Sequence, residues 1–425
     1  MAAEKESKKR FNLVGHGGPI KALAINESGT MALTGSFDYS AALWRLDENK
    51  SNQLIRRYTN HNGAVNAVKF IQDKKKFISA GDDGSVYIWD LNRDKLIRKF
   101  DGHKAKIIAL AVSDNGELAA SASWDRTVRL WNLSENRPGK VLSGHKGPVN
   151  AVLISADGNF AYSGSYDGSI IKWDVESGKL VRTIYRHGWG INVMEWLPGK
   201  KQILFGSLNG DVQIFNLKTD SISKVLIPHQ RPVLALAVSK DDKYLASGGG
   251  DGTIRVWKVE DWSVVEELNS YFGPVWAMDY GADNKTIIYA GLDDFAVSWK
   301  VSPRNISAEA QGKYPRRFQK LKNMSLGERQ FARKCSICHT LRKGDGNRAG
   351  PSLFGVFGRV AGTLKNYKYS KGLIESNIVW NADTIDQLFA IGPQHVTPGS
   401  KMPLQKISQK VKRQALIEFL KANTQ

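Results

Sequence analysis

A bulky aromatic residue recurs at a nearly constant interval through the first 300 residues of the chain. The first interval is 45 residues and the next five are 42 residues. A His lies 28 residues before six of the seven aromatics, an Asp or Asn lies six residues before all of them, and a Ser or Thr lies ten residues before five. A period of about 20–50 residues indicates repeated supersecondary units that stack and bury a shared core. The seven aromatics are Trp44, Trp89, Trp131, Trp173, Phe215, Trp257 and Trp299.

Each repeat contains the elements of a small antiparallel sheet. Segments such as SVYIWD and TVRLWN alternate and are rich in β-branched residues, which favours half-buried strands. The Asp-Gly or Asp-x pair that precedes them predicts a tight turn. Because a buried indole N–H needs a partner, we expect the Ser, His and Asp of a repeat to form a hydrogen-bonded network with its Trp. Repeat five, with Phe205 and Asn209, and repeat seven, with Tyr271 and Tyr289, should lack it.

The repeats resemble those of the WD-repeat β-propeller family over residues 9–302. The Gly-His pair at Gly15–His16 matches the motif that starts a blade, and Trp89–Asp90 and Trp173–Asp174 match the motif that ends one. The resemblance implies an all-β propeller of seven blades, each with four antiparallel strands. Such a propeller is expected to act as a binding platform for a protein partner. The repeated histidines are assigned to the structural networks and not to a metal site; they are His16, His61, His103, His145, His187 and His229.

The ring should be closed by the N-terminal segment. The sequence RFNLVG before His16 is typical of a strand that has no blade of its own. After Trp299 the chain contains Pro and polar residues where a fourth strand of the last blade is needed. We therefore expect the N-terminal strand to complete blade seven, which removes the free edge of an open ring.

The basic character of the chain belongs mostly to its last third. The net charge is +20, and residues 301–425 carry 22 Lys and Arg against 7 Asp and Glu. Such a field attracts nucleic acid, an anionic membrane or an acidic protein. No nucleic-acid motif or interleaving of aromatic and basic residues accompanies the charge, which disfavours nucleic acid. No apolar stretch reaches the roughly 20 residues needed to span a bilayer, so membrane association would be peripheral.

Both cysteines of the chain lie in one motif, Cys335-Ser336-Ile337-Cys338-His339. Residues 303–322 are interpreted as a linker, and a helix is predicted from Met324, with Ser325 as its N-cap. The C-x-x-C-H pattern indicates c-type haem attachment, with thioethers from Cys335 and Cys338 and an axial iron ligand from His339. Half of a zinc site and a redox dithiol are the alternatives. Zinc would need two further ligands, and a dithiol would need a βαβ context.

A second iron ligand is predicted at Met402, within the sequence TPGSKMP. A soft thioether opposite a His fills both axial positions and favours electron transfer over activation of small molecules. His395, seven residues earlier, is a weaker rival for that position.

Residues 323–425 resemble a class I cytochrome c of the mitochondrial and bacterial c-two type, an all-α domain. The resemblance implies that Gly327 and Phe331 pack against the last helix at Leu416, Phe419 and Leu420. It implies further roles around the haem: Pro351 accepts a hydrogen bond from His339, Arg359 lies near a propionate, and Tyr367, Tyr369 and Trp380 hydrogen-bond around the propionates. A family tyrosine near the axial Met is replaced here by Leu388 or Phe389. A rim of lysines would steer docking onto acidic partners: Lys343, Lys365, Lys368, Lys401 and Lys406.

The sequence therefore predicts a carrier of single electrons with one covalently bound haem c per chain. Its redox partners would present acidic docking faces, and the propeller would bind a protein partner. The alternatives are a haem-dependent reductase or peroxidase, and a redox or gas sensor with the propeller as scaffold. The chemistry of haem attachment favours the periplasm, or else the mitochondrial intermembrane space, although the first residues show no export signal.

Overall fold

The structure is a computed structural model in which the chain forms two compact units, residues 1–308 and 309–425. It describes residues 12–47, 52–71, 75–93, 95–135, 139–197, 199, 201–270, 273–301, 305–306, 324–336, 338–345, 347–348, 350–367, 369–398, 400, 402 and 405–425.

The N-terminal unit is a seven-bladed β-propeller. Six blades are four-stranded antiparallel sheets, and their strands follow each other in chain order from the inside of the ring to its rim. Strands β2 to β25 form these six blades: Ile20–Ile25, Met31–Ser36, Ala41–Arg45 and Gln53–Tyr58; Val65–Ile71, Lys76–Gly81, Val86–Asp90 and Leu96–Phe100; Ile107–Val112, Leu118–Ser123, Thr127–Asn132 and Val141–Ser143; Val149–Ile154, Phe160–Ser165, Ser169–Asp174 and Leu180–Arg186; Ile191–Trp196, Gln202–Ser207, Val212–Asn216 and Ser221–Val225; Val233–Val238, Tyr244–Gly249, Thr253–Lys258 and Val264–Asn269.

The seventh blade contains β26 (Val275–Tyr280), β27 (Thr286–Gly291) and β28 (Phe295–Lys300), and its outer strand comes in two pieces. The N-terminal β1 (Leu13–Val14) pairs with the first half of β28, which confirms the predicted closure. The short β29 (Asn305–Ile306) pairs with the second half of β28.

Residues 303–322 stay predicted as a linker, and within them Asn305–Ile306 pair with the propeller. Because β1 has two residues and pairs with Phe295 and Ala296, Trp299 and Lys300 of β28 pair with β29 instead. The rest of the predicted linker lies outside the described residues.

The core of the propeller lies between neighbouring blades. The first strand of each blade contacts the first strand of the next, and β26 contacts β2, which closes the ring. The repeated aromatics of blades one to six are buried against the preceding blade; Trp89, for example, packs with Leu43 and Tyr58. Trp44 packs with Leu13 and Ala296 of blade seven, so the closure is also a hydrophobic contact.

The described residues of the C-terminal unit form five helices. They are α1 (Leu326–Lys334), α2 (Lys371–Ile374), α3 (Ala382–Ile391), α4 (Pro393–Val396) and α5 (Lys410–Asn423). Ser325 caps α1 as predicted, since its side chain accepts from the backbone N–H of Glu328.

The all-α class predicted for this unit is supported only in part. Two of the helices have four residues each, and the described parts of residues 338–370 are irregular apart from an isolated bridge between Val360 and Val379. Turns with positive φ at Gly344, Gly355 and Gly358 break this stretch of backbone. None of the helices among the described residues is long and apolar enough to cross a bilayer.

Candidate functional site

The repeated His residues of the propeller lie in closed hydrogen-bond networks. In blade two, Trp89 Nε1 donates to Ser79 Oγ at 2.7 Å, and this hydroxyl lies 2.7 Å from His61 Nε2. The hydroxyl accepts from the indole, so it donates to Nε2, and the Nδ1 proton of His61 bonds to Asp83 at 2.9 Å. Blades one, three and four repeat this arrangement with distances of 2.6–3.1 Å.

Burial favours the neutral form of three of these histidines, and hydrogen bonds favour the charged form of Asp125. Burial lowers the pKa of His103, His145 and His229, against the opposing effect of their Asp partners. Burial alone would raise the pKa of Asp125, but the Thr127 hydroxyl, the backbone N–H of Lys104 and His103 lower it to about 2. These histidines are therefore structural.

The hydrogen-bond network is incomplete in blades five and seven, as the sequence predicts. In blade five, His187 lies 3.1 Å from Asp211 instead of bonding to Asn209, and its buried Nδ1 has no partner among the described residues. In blade seven, the buried Nε1 of Trp299 also has no partner within the part of the chain that the structure describes. Tyr271 lies outside the described residues.

The C-x-x-C-H motif lies at the end of α1. Cys335 caps the helix and donates its backbone N–H to Phe331 O at 2.8 Å. The chain then turns tightly, because the N–H groups of Cys338 and His339 both bond to Cys335 O, at 3.0 and 2.9 Å. This turn brings both thiols and the imidazole to one edge of the helical core.

Both thiols are free and hold their protons. Burial raises the pKa of Cys335 to about 12 and that of Cys338 to about 11. Zinc binding and dithiol exchange both use thiolates, so this environment disfavours the two alternative uses of the motif. The described residues contain no group of three His, Cys, Asp or Glu side chains that could hold a metal ion.

His339 is held in one orientation by the loop that follows. Its Nδ1 lies 2.8 Å from Pro351 O, and because a carbonyl can only accept, Nδ1 carries the proton. Nε2 is then the nitrogen with a free lone pair, as an iron ligand requires. Gly350 packs directly on the ring, since a Cβ there would lie 2.3 Å from its Cε1. Burial lowers the pKa of His339, which favours the neutral ligand form.

The predicted second ligand borders the same core as the cysteines. Met402 is half-buried and packs on an apolar cluster that includes Cys335, Leu341 and Phe389. His395, the rival ligand, is exposed in α4.

The residues predicted around the propionates are half-buried near this core. Arg359 donates to Phe354 O at 3.0 Å and to Ser352 O at 2.8 Å. The rings of Tyr367 and Tyr369 meet edge to face at 4.7 Å. Burial, together with the charges of Tyr369 and Cys338, raises the pKa of Tyr367 to about 12. Trp380 packs on the apolar cluster.

Sequence reasoning missed Arg348, which joins the motif to the following loop. Its Nη1 donates to Ser336 O, between the two cysteines, at 2.6 Å. A lone Arg in a basic segment carried no signal that could have singled it out. Three of the predicted lysines, Lys343, Lys365 and Lys406, are exposed, while Lys368 and Lys401 lie outside the described residues.

Comparison with known proteins agrees with both halves of the molecule. A β-propeller family model described as WDR41 matches residues 40–286, and the WD domain, G-beta repeat, matches residues 7–45. The chain is 36% identical over 102 residues to a cytochrome c of Chlamydomonas reinhardtii and 38% identical over 98 residues to one of Ginkgo biloba. These alignments cover 24% and 23% of this chain, and 90% and 86% of the two relatives.

The chain belongs to the WDR41 β-propeller family and, over about a quarter of its length, to the cytochrome c family. A cytochrome c of Cochliobolus lunatus is 37% identical over 98 residues, with 90% of that relative covered. In the WDR41-like part, the residues singled out by the sequence form structural networks. In the C-terminal unit, Cys335, Cys338 and His339 lie together at the end of α1.

Cytochrome c relatives imply a covalently bound haem c, and the donor set of this chain fits that group. Two protonated thiols adjoin an imidazole whose Nε2 is free, and a thioether borders the same half-buried apolar cluster. Gly350 leaves room for the imidazole where any side chain would collide with it.

Proposed function

We propose that the chain is a c-type cytochrome that carries single electrons between protein partners, with the propeller as a protein-binding platform. The observation that carries the proposal is the fixed tautomer of His339, whose Nδ1 is bonded to Pro351 O, directly after the two cysteines of the motif. A redox dithiol needs no imidazole held in this way, and zinc would need further ligands that the described residues do not group together.

The residues of the C-terminal unit have separable tasks in this function. When bound, haem c supplies a reversible one-electron couple. Cys335 and Cys338 would hold it by thioether bonds, and His339 and Met402 would bind its iron. The apolar cluster would exclude water from the group, and an iron bound by two side chains would have no place for a substrate.

We further propose that this unit has the class I cytochrome c arrangement, with its irregular segment wrapped around the haem. Support comes from α1 and α5, which cross in contact: Gly327 faces Ala415 O, and the rings of Phe331 and Phe419 lie 5.4 Å apart. A core built around a prosthetic group needs fewer regular elements, which accounts for the irregular residues between α1 and α2.

The partners are proposed from charge. The exposed lysines of the C-terminal unit would steer it towards acidic faces of redox proteins. A propeller that binds the same partner, or its neighbour, would raise the local concentration of the electron carrier there.

The first experiment is an absorption spectrum of the oxidised and reduced protein, produced in a host that matures c-type cytochromes. We expect sharp reduced bands and a weak far-red band in the oxidised form, which reports a methionine–iron bond. Met402→Ala should abolish the far-red band and allow carbon monoxide to bind the reduced protein. His395→Ala, an exposed change in the same region, should leave both properties as they are.

The outcomes separate the proposed carrier from its alternatives. A wild-type spectrum that is high-spin, or that changes with carbon monoxide, would show an open iron and favour a reductase or a gas sensor. Absence of covalently bound haem would refute the proposal as a whole.

We propose the periplasm as the compartment, with the mitochondrial intermembrane space as the alternative. The reason is chemical, since thioether formation needs reduced thiols and haem delivered to the same side of a membrane. Fractionation of native cells, with the covalent haem detected in gels, tests this. Haem-bearing protein in the cytoplasm would refute both locations.

A further inference from the structure

One face of the propeller is lined by turns that share a backbone pattern. Because strands alternate in direction, the turn between the second and third strands of a blade lies at the same end as the connection that enters its first strand. Backbone hydrogen bonds join the two segments: Phe37 N to Pro19 O at 2.9 Å, Trp124 N to Lys106 O at 3.0 Å, and a third from Tyr166 N. We call the end formed by these turns and connections the Asp-turn face.

Aromatic side chains are exposed on the Asp-turn face in several blades. Phe37, Trp124 and Tyr166 directly precede the network Asp in blades one, three and four, and 36%, 46% and 61% of their surface is exposed. Trp189, in the connection that enters blade five, is 60% exposed. By contrast, the seven repeated aromatics of the blades are fully buried, so the four exposed aromatics do not contribute to the core. Each of the four therefore offers apolar surface to a partner at the same end of the propeller, in blades one, three, four and five.

Cations accompany these aromatics. Lys106 Nζ lies 3.5 Å from the ring centroid of Trp124, and Lys21 Nζ lies 5.2 Å from that of Trp276, which in turn packs against Phe37. Such pairs hold an ammonium group in place over an apolar surface. Four further exposed cations lie in the same turns and connections: Lys104, Arg126, Lys146 and Arg231.

The cations on this face are not fully neutralised by the chain. Burial and the charge of nearby Lys106 lower the pKa of Lys21 to about 8, and Asp82 only partly offsets them. Asp82 is also engaged by Asn66, whose Nδ2 donates to it at 2.8 Å. Two ammonium groups that repel each other beside aromatic rings form a place for an anionic group from outside.

We propose that the Asp-turn face binds an acidic peptide segment that also carries apolar side chains, with Lys106 and Trp124 as its main contact. The inference rests on the proposed role of the propeller as a protein-binding platform and states where the partner binds and by which chemistry. Carboxylates of the segment bond to the lysines, and its apolar side chains cover the exposed rings.

The acidic residues of the face favour a peptide over a nucleic-acid strand. Asp82 and Asp293 lie among the cations, outside the His networks. A nucleic acid carries a charge at each phosphate and would meet these carboxylates, whereas a peptide can place neutral residues there. The aromatics are also spread over turns of separate blades instead of forming a continuous stacking platform.

The test measures binding of a fluorescein-labelled peptide of about twelve residues in which Glu and Leu alternate, by anisotropy, with the full-length haem-loaded protein. We expect saturable binding that Lys106→Glu and Trp124→Ala each weaken about tenfold or more. Lys218→Glu is the matched control, because Lys218 is exposed in a turn at the opposite end of blade five and should leave affinity within about twofold.

Two further probes make the result specific. A peptide with Lys in place of Glu should not bind, and an oligothymidylate of equal charge should bind more weakly than the Glu–Leu peptide. The proposal is overturned if the Glu–Leu peptide does not bind, if oligothymidylate binds more tightly, or if Lys218→Glu weakens binding as much as Lys106→Glu. Binding unaffected by the two Asp-turn-face variants would place the peptide elsewhere and overturn it as well.

The same samples separate this inference from the proposed electron carrier. A normal reduced spectrum without specific peptide binding would refute the docking surface alone. Specific binding by a protein that lacks the methionine–iron band would refute the carrier and leave the docking surface standing.

Discussion

At the scale of single residues, one hydroxyl per blade decides whether a buried polar network closes. Ser79 accepts from Trp89 and donates to His61, so it satisfies two buried groups with one oxygen. Where another residue takes the Ser position, as Tyr289 does in blade seven, the buried Nε1 of Trp299 has no partner among the described residues. The residues of each network were predictable from the sequence because they recur at constant spacings. Each buried polar group of a network finds its hydrogen-bond partner in another residue of the same network.

Ser79→Ala should destabilise the propeller by about 2–4 kcal/mol, because it leaves the indole N–H of Trp89 and Nε2 of His61 buried without their partner. Chemical denaturation followed by tryptophan fluorescence measures this. Ser223→Ala is the control, an exposed change on an outer strand that should cost less than about 0.5 kcal/mol. Equal effects of the two changes would refute the importance of the network.

At the scale of elements, the crossing of α1 and α5 depends on Gly327. A Cβ at this position would lie 2.0 Å from Ala415 O and 2.8 Å from the Cβ of Phe419. The two backbones can approach this closely only where one of them has no side chain. The resemblance to cytochrome c implied the pairing of these helices, but the identity of the backbone oxygen that excludes a Cβ is a tertiary fact.

Gly327→Ala should separate the two helices and destabilise the C-terminal unit by about 1–3 kcal/mol. Hydrogen exchange of the α1 and α5 amides, measured by mass spectrometry, should accelerate roughly tenfold to a hundredfold. Arg333→Ala, an exposed change on α1, serves as the control and should leave exchange nearly unchanged. Unchanged exchange in Gly327→Ala would contradict the close crossing.

At the scale of the whole molecule, the propeller holds together because a two-residue strand closes the ring. Leu13 is fully buried against Trp44, whereas the next residue, Val14, is 49% exposed. The two residues make equivalent backbone pairs with β28, at Ala296 and Phe295. They therefore form a matched pair for testing closure.

Leu13→Ala should lower the free energy of unfolding of the propeller by about 2–5 kcal/mol, because it opens a cavity where the first and last blades meet. Val14→Ala should cost less than about 1 kcal/mol. Thermal unfolding monitored by tryptophan fluorescence distinguishes the two. A loss no greater for Leu13→Ala than for Val14→Ala would show that β1 does not close the ring by this contact.

The propeller should lose stability in acid in two steps. Burial holds the pKa of His103, His145 and His229 below the ordinary 6.5, so the folded state resists their protonation and stability falls as the pH drops below about 6.5. The pKa of Asp125 and of Asp167 is lowered to about 2, so their contribution is present above about pH 4 and lost between about pH 4 and 2.

Denaturation midpoints measured from pH 7 to pH 3 test whether the stability of the propeller falls as the pH falls. Asp125→Asn should reduce the slope below about pH 4, because the mutant has one depressed carboxyl fewer to protonate. Stability that stays constant or rises as the pH falls through this range would refute the assignment of neutral His and charged Asp.

The sequence by itself determined the number of blades, the membership of the His networks and the donor set around His339, because each rests on spacing or on a local motif. Tertiary structure decided the two-piece outer strand of blade seven, the contact of Arg348 with Ser336 O and the exposed rings of the Asp-turn face. These features join residues far apart in the chain or depend on which side of a turn meets solvent. The local periodicity of the sequence cannot predict such features. They follow from packing inside the closed ring and, separately, from packing inside the helical core.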